Sequence, residues 1–96
     1  MAIKSFKDKA TAAAFAELPV RSYPPDIRKR ALAKLPQIDA AMSLEDLRVP
    51  PSNLLEALVG DREGQHSIRI NQQWRVCFVF SKDGSAEDVE ISKHYE

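Results

Sequence analysis

One cysteine in 96 residues, Cys77, leaves no partner for an internal disulfide and no material for a cysteine-rich zinc site. That scarcity fits a reducing, cytoplasmic setting. No apolar run approaches the ~20 residues of a membrane span. The opening MAIKSFKDKA lacks the apolar core of a signal peptide. No repeat, low-complexity tract or domain linker interrupts the chain, so residues 1–96 read as a single domain. Net charge is absent too, with 14 Lys and Arg against 14 Asp and Glu. A protein that held nucleic acid by bulk charge would be more basic. Any phosphate contact must come from a local cluster, and a near-neutral chain could equally bind a protein partner. The balance hides an asymmetry, because residues 1–50 carry the excess of cations and residues 51–96 the excess of anions.

Two helices are legible in the first half. Lys7–Leu18 is Ala-rich and stops at Pro19, with Ala10, Ala14 and Leu18 on one face and Phe15 beside them. Pro24-Pro25-Asp26 suits a helix start. From there Ile27, Ala31, Leu35, Ile38 and Met42 form one apolar stripe at spacings of three and four. The stripe runs through Pro36, which predicts one kinked helix rather than two. Arg28, Lys29, Arg30 and Lys34 lie off the stripe; such a basic face is most often solvated scaffold, and its other use is to hold a polyanion or an acidic partner. Ile3–Phe6 is a short candidate strand. Ser43 to Asp46 predicts a turn capped by Ser43, Val49–Asn53 an extended connection, and Leu54–Leu58 a strand.

The second half is set by strand register. His66, Ile68 and Ile70 alternate with Gln65, Ser67 and Arg69; Trp74, Val76, Phe78 and Phe80 alternate with Arg75, Cys77 and Val79. A three-residue loop, Asn71-Gln72-Gln73, pairs Ile68 with Val76 and His66 with Phe78, whereas a two-residue loop would mix faces. It also sets Arg69 opposite Arg75. A turn at Asp83-Gly84 then brings Phe78 to Val89, Val76 to Ile91, Cys77 to Glu90 and Arg75 to Ser92, with His94 opposite Gln73. One sheet face therefore takes the helices, with His66 and Trp74 among its packed residues. The other gathers Arg69, Arg75, Glu90 and His94. Two arginines opposed across strands repel unless an anion lies between them. Glu90, with Glu56, is one candidate for that anion; a bound phosphate is the other.

The ordered series Asn53-Leu54-Leu55-Glu56-Ala57-Leu58, Gly60-Asp61-Arg62, Gly64, Ser67-Ile68-Arg69-Ile70-Asn71, Gln73-Trp74-Arg75-Val76-Cys77-Phe78 and Val89-Glu90-Ile91 resembles the HigB group of RelE-like bacterial toxins. Ile3 to Lys9 continues the likeness to the start. The resemblance implies an α+β RelE-like fold, two N-terminal helices packed on one face of a twisted antiparallel sheet. It implies a type II toxin neutralised by a helix-turn-helix, HigA-like antitoxin, with the ribosome and mRNA as its other partners and no membrane. Such toxins cut mRNA in the ribosomal A site. The chemistry deprotonates a ribose 2′-hydroxyl, which attacks the adjacent phosphorus while an acid protonates the leaving 5′-oxygen. Cations stabilise the added charge, and neither metal nor cofactor is required.

Carried onto this chain, Arg75 matches the family's sheet arginine and takes the phosphate-stabilising role. His94 or Glu56 is the candidate base, and Tyr95 a stacking or proton-handling group. Arg62, Arg69 and Lys93 are the candidate RNA-phosphate contacts, although Arg62 could equally pair with Glu63 or Asp61. The chain departs from the common Asp-Tyr-His ending with Lys93-His94-Tyr95. Some members carry histidine at Glu56, and lysine is frequent at Val59. Two other functions remain open on this fold: a non-nucleolytic toxin acting on DNA gyrase, and a degenerate member that only binds its antitoxin.

Overall fold

The structure, a computed structural model, describes residues 1–93. Two helices, α1 (Lys9–Phe15) and α2 (Pro25–Ala40), precede four strands, β1 (Glu56–Ala57), β2 (Gln65–Arg69), β3 (Trp74–Phe80) and β4 (Ala86–Lys93). The strands form one antiparallel sheet in the order β1-β2-β3-β4. Ile68, Val76, Phe78, Val89 and Ile91 of the sheet meet Ala14 of α1 and Ile27, Ala31, Leu35 and Ile38 of α2 in one buried core. The α+β RelE-like architecture expected from the sequence is the one observed.

The helices differ from expectation at their ends. Asp8 accepts from the Thr11 amide at 2.8 Å and starts α1 two residues later than the alanine run suggested. Glu17, at φ 63°, ends it early: the Glu17 and Leu18 amides return to Ala14 and Ala13, and Leu18 is thrown outward, 55% exposed. The stripe residue Leu18 is therefore not part of the packing. At the far end of α2, which continues through Pro36, the backbone turns extended at Ala41. Ala41 takes the last core position and Met42 is 88% exposed, the second stripe residue lost.

The connection to the sheet also departs. Ser43 makes no side-chain cap; instead Asp46 Oδ2 accepts from the Met42 amide at 2.8 Å ahead of a 3₁₀ turn, Leu44–Arg48. Val49-Pro50 is a cis peptide and Pro51–Asn53 is a second 3₁₀ turn, so this stretch turns rather than extends. Asn53 is fully buried there. Its amide donates to Gln37 Oε1 and Leu47 O, both at 3.1 Å, and its oxygen accepts from Lys34 Nζ, tying the turns to α2. Leu54 follows at φ 43°, which delays the edge strand to Glu56–Ala57 instead of Leu54–Leu58.

The β2–β3 register is as read from the side-chain alternation, including Ile68 opposite Val76 and Arg69 opposite Arg75. Beyond it, Val76 meets Ile91, Cys77 meets Glu90 and Arg75 meets Ser92, again as expected. Nearer the turn the pairs slip by one, Val79 with Glu87 and Phe80 with Ala86. The turn itself is wider than Asp83-Gly84, closed by the Ser81 amide to Ser85 O at 2.9 Å and by the Asp83 carboxylate among Ser81, Ser85 and Lys4. The extra residue is taken up at Asp88, at φ 51°, as a bulge. Ile3–Phe6 is not a strand of the sheet. It makes two isolated parallel bridges, Ile3 to Ala86 and Phe6 to Val89, and covers the outer edge of β4.

Candidate functional site

On the sheet face away from the helices, alternate residues of β2, β3 and β4 present Ser67 and Arg69, Arg75 and Cys77, and Glu90 and Ser92. β1 and the Gly60–Arg62 turn rise beside them and leave a cleft of ≈ 470 Å³. Glu56, Arg62, Arg75, Ser92 and Lys93 line it, with buried Cys77 at its base. A second hollow of ≈ 270 Å³ adjoins, lined by Glu56, Ser67, Arg69 and Arg75 among others.

Arg75 is held from two sides. Its Nη1 donates to Glu56 Oε1 at 2.7 Å and to Ser67 Oγ at 3.3 Å, and its side chain is only 17% exposed. Arg62 reaches from the turn across the sheet. Its Nη1 donates to Glu90 Oε1 at 3.0 Å and Gln65 Oε1 at 3.1 Å, and its Nη2 to Ser92 Oγ at 3.4 Å. Lys7 completes the Glu90 environment at 3.8 Å. Glu90 thus neutralises Arg62 and not the Arg69–Arg75 pair, correcting that one of the two alternatives the sequence left open; among the described residues Glu56 is paired with Arg75. The neighbours Asp61 and Glu63 are not the partners of Arg62 either. Burial pushes the Cys77 thiol up, outweighing the opposite influence of Arg62 and Arg75, so it lines the cleft as a neutral group.

The fold brings Arg75, Glu56, Arg62 and Lys93 to one cleft and Arg69 to the hollow beside it. His94 and Tyr95 lie outside the described residues. His66 stacks on Phe78 with centroids 6.3 Å apart, and Trp74 meets Tyr23 edge-on at 5.7 Å, so both pack against neighbouring rings as expected. Among the described residues, no group of His, Cys, Asp and Glu is arranged to hold a metal ion. Nor, among them, is any helix long and apolar enough to cross a membrane. The sequence reading missed Ser67 and Ser92 as partners of the two arginines. The signal for both was present in the register, since each shares the polar face with Arg75.

Residues 4–94 match the HigB-like toxins, the RelE-like toxins of type II toxin–antitoxin system HigB. The chain belongs to this family. It is 39% identical to Toxin HigB-1 of Vibrio cholerae over 74 residues, 77% of each protein. Among solved structures it resembles the YoeB-YefM complex from Staphylococcus aureus, with a TM-score of 0.61 at 16% identity, covering 99% of this chain and 100% of that one. It likewise resembles the YoeB/ParE toxin from Agrobacterium tumefaciens, with a TM-score of 0.56 at 17% identity and the same coverage. At such identities these two likenesses bear on the fold alone. The HigB-like assignment rests on sequence, and it agrees with the resemblance carried by the Asn53–Leu58 and Gly60–Phe78 series.

Proposed function

We propose that this HigB-like toxin is a ribosome-dependent endoribonuclease that cuts translated mRNA in the ribosomal A site. It acts in the cytoplasm as one domain, residues 1–96, and is held in check by a helix-turn-helix antitoxin of the HigA type. The observation that carries the reading is the state of Arg75: a guanidinium largely withdrawn from water, aimed into the cleft, with an anionic oxygen already on Nη1. A phosphate oxygen satisfies the same donor by the same charge-assisted bond. The Glu56 carboxylate is 55% exposed and sits on a two-residue edge strand. An incoming phosphate oxygen replaces the carboxylate on the same donor, so the half-buried guanidinium stays paired while Glu56 turns out into water.

In the proposed reaction Arg75 binds the non-bridging oxygens of the scissile phosphate. A base, His94 or the displaced Glu56, takes the proton of the ribose 2′-hydroxyl. The 2′-oxygen–phosphorus bond forms, the phosphorus–5′-oxygen bond breaks, and the 5′-oxygen takes a proton from an acid, with Tyr95 as the proton-handling candidate. The products are a 2′,3′-cyclic phosphate and a free 5′-hydroxyl. Arg75 faces the charge that builds on phosphorus, the place where a fixed cation contributes most. Arg62, Arg69 and Lys93 hold the flanking phosphates.

The neutralised arginines favour one second reading, a member that binds its antitoxin but cuts nothing, because Arg75 and Arg62 each carry a carboxylate. Induction of the protein alone, with transcript 5′ ends and plasmid supercoiling mapped together, separates the cases. In-frame cuts inside translated codons support the nuclease. Normal growth with intact transcripts supports the inactive member, and DNA breaks point to gyrase; either outcome overturns the nuclease.

A further inference from the structure

The basic outer surface of α2 has no part in the site described so far, yet two of its cations do not simply face solvent. Arg30 and Lys34, one helical turn apart, converge with Arg69 of β2 on a cleft of ≈ 450 Å³ between α2 and the β2–β3 turn, where Ser52 and Gln72 add polar groups. No carboxylate is among the residues lining that cleft. Among the described residues, none of the three cations takes part in an ion pair. Lys34 Nζ has one neutral partner, Asn53 Oδ1. Burial, and then repulsion from Arg30, push the Lys34 ammonium below its ordinary value. Asp26, one turn before Arg30 on α2, lines the adjoining hollow with Arg30, Asn71 and Gln72 but is not among the residues of this cleft. Three cations against that single neighbouring carboxylate leave the cleft short of an anion.

Its position supplies the identity of that anion. Arg69 lines both this cleft and the hollow it shares with Arg75 and Glu56, and those two residues line the main cleft in turn. The three depressions form one track from Arg62 and Arg75, past Arg69, to Lys34 and Arg30. We propose that the Arg30–Lys34–Arg69 cleft is a second phosphate site, which carries an RNA strand onward from the phosphate held at Arg75. No aromatic side chain lines the cleft, so it grips backbone rather than stacking bases, and it takes any sequence. The Asn71 carboxamide oxygen is engaged within the turn, accepting from the Gln73 and Trp74 amides at 2.8 Å, which fixes the wall beside it. This proposal rests on reading the sheet face as an RNA-binding surface; it does not require that the RNA be cut.

The test is fluorescence anisotropy with labelled oligouridylates of two and six nucleotides, 2′-O-methylated so that they resist cleavage, over a series of salt concentrations. The wild-type protein binds the hexamer more tightly than the dimer. Arg30→Gln lowers the slope of log K against log salt for the hexamer by about 0.7, and Arg30→Gln/Lys34→Gln by about 1.4, because each cation that neutralises a single-strand phosphate contributes about 0.7. Dimer binding is unchanged in both. Lys34→Gln touches the buried Asn53 cluster, so the single variant at exposed Arg30 decides if the double variant fails to fold. A wild-type protein that gains nothing from the longer strand overturns the proposal, as does an Arg30→Gln variant with wild-type hexamer binding. Unchanged RNA binding with weakened antitoxin binding also overturns it, and assigns the cleft to an acidic protein partner instead. Binding is the readout, so a hexamer gain alongside uncut transcripts would remove the nuclease and leave the track standing.

Discussion

Arg75 and Glu56 meet at 2.7 Å across the β1–β3 side of the cleft, the arginine 17% and the glutamate 55% exposed. The two strands are not neighbours; β2 lies between them, and its Ser67 supplies the second oxygen on the same guanidinium nitrogen. A cation fixed from the sheet and an anion presented from a two-residue edge make an unequal pair, in which the glutamate is the half that moves.

Arg75→Ala removes the proposed phosphate donor. Deleting one preorganised donor of this kind costs about 10²–10³ in rate, so growth arrest on induction is relieved and mapped transcript cuts disappear. Arg75→Lys keeps the charge without the two-sided hold and recovers only part of the activity. His94→Ala relieves arrest as well. Full toxicity in both alanine variants removes the assignment.

Arg62 acts on the frame of the cleft. Arg62→Ala strips Glu90 of its nearest cation and leaves it with Lys7 at 3.8 Å, while Ser92 and Gln65 each lose a donor. The expected loss is about 1 kcal/mol, in the range of a charge-assisted bond at a partly solvated site. Urea unfolding measures it. Arg62→Ala/Glu90→Gln loses less than the sum of the two single variants, the signature of a coupled pair.

Asn53→Ala empties a fully buried position and leaves Leu47 O, the Gln37 carboxamide and Lys34 without their shared partner. A loss of about 2–3 kcal/mol follows from buried polar groups left unpaired, read as a lower urea midpoint at unchanged slope. An effect below about 0.5 kcal/mol, the ordinary range for surface substitutions, would show that the cluster is not holding the turns to α2.

The turn between β3 and β4 carries an acid-sensitive contact. Hydrogen bonds from Lys4, Ser81 and Ser85 hold the Asp83 carboxyl well below its ordinary value of 3.8. A carboxylate depressed on folding contributes stability that is complete above the unfolded value and is lost as pH falls through the folded one. The contribution is therefore present at neutral pH and fades only below 3.8. Carbon-detected titration of the Asp83 carboxyl checks this, and Lys4→Met should move its midpoint upward, since Lys4 is the first of those partners.

Strand order and register were legible because one face is buried: a slip at Ile68–Val76 would turn an entire apolar row to solvent, so the pattern admits one answer. The same logic put Arg69 opposite Arg75 without any knowledge of the site. It failed where no buried row enforces it. Between Phe80 and Ala86 the Asp83 carboxylate widens the turn by a local network that alternation cannot signal, and Asp88 restores the register by taking a left-handed conformation that Asp tolerates better than most residues. The helix stripes were right through their middles and wrong at Leu18 and Met42, because a left-handed backbone at Glu17 and an extended one at Ala41 decide the ends. For the site, residue type and register placed Arg75 and Arg69. The partner of Arg62 was illegible, since it comes from a turn whose rise over the sheet no local pattern records.

The bulge at Asp88 divides β4 into two halves that pair with β3 in different registers. On the near side lie the turn and the pairing with Ala2 and Lys4; on the far side lie Glu90 and Ser92, aligned with Cys77 and Arg75. The extra residue at that point changes the register, so the pairing beside the cleft is independent of the count of residues in the turn. Residues 81–85 are accordingly the place to graft a fluorophore or an affinity handle, where an added residue can be absorbed before it reaches the arginines.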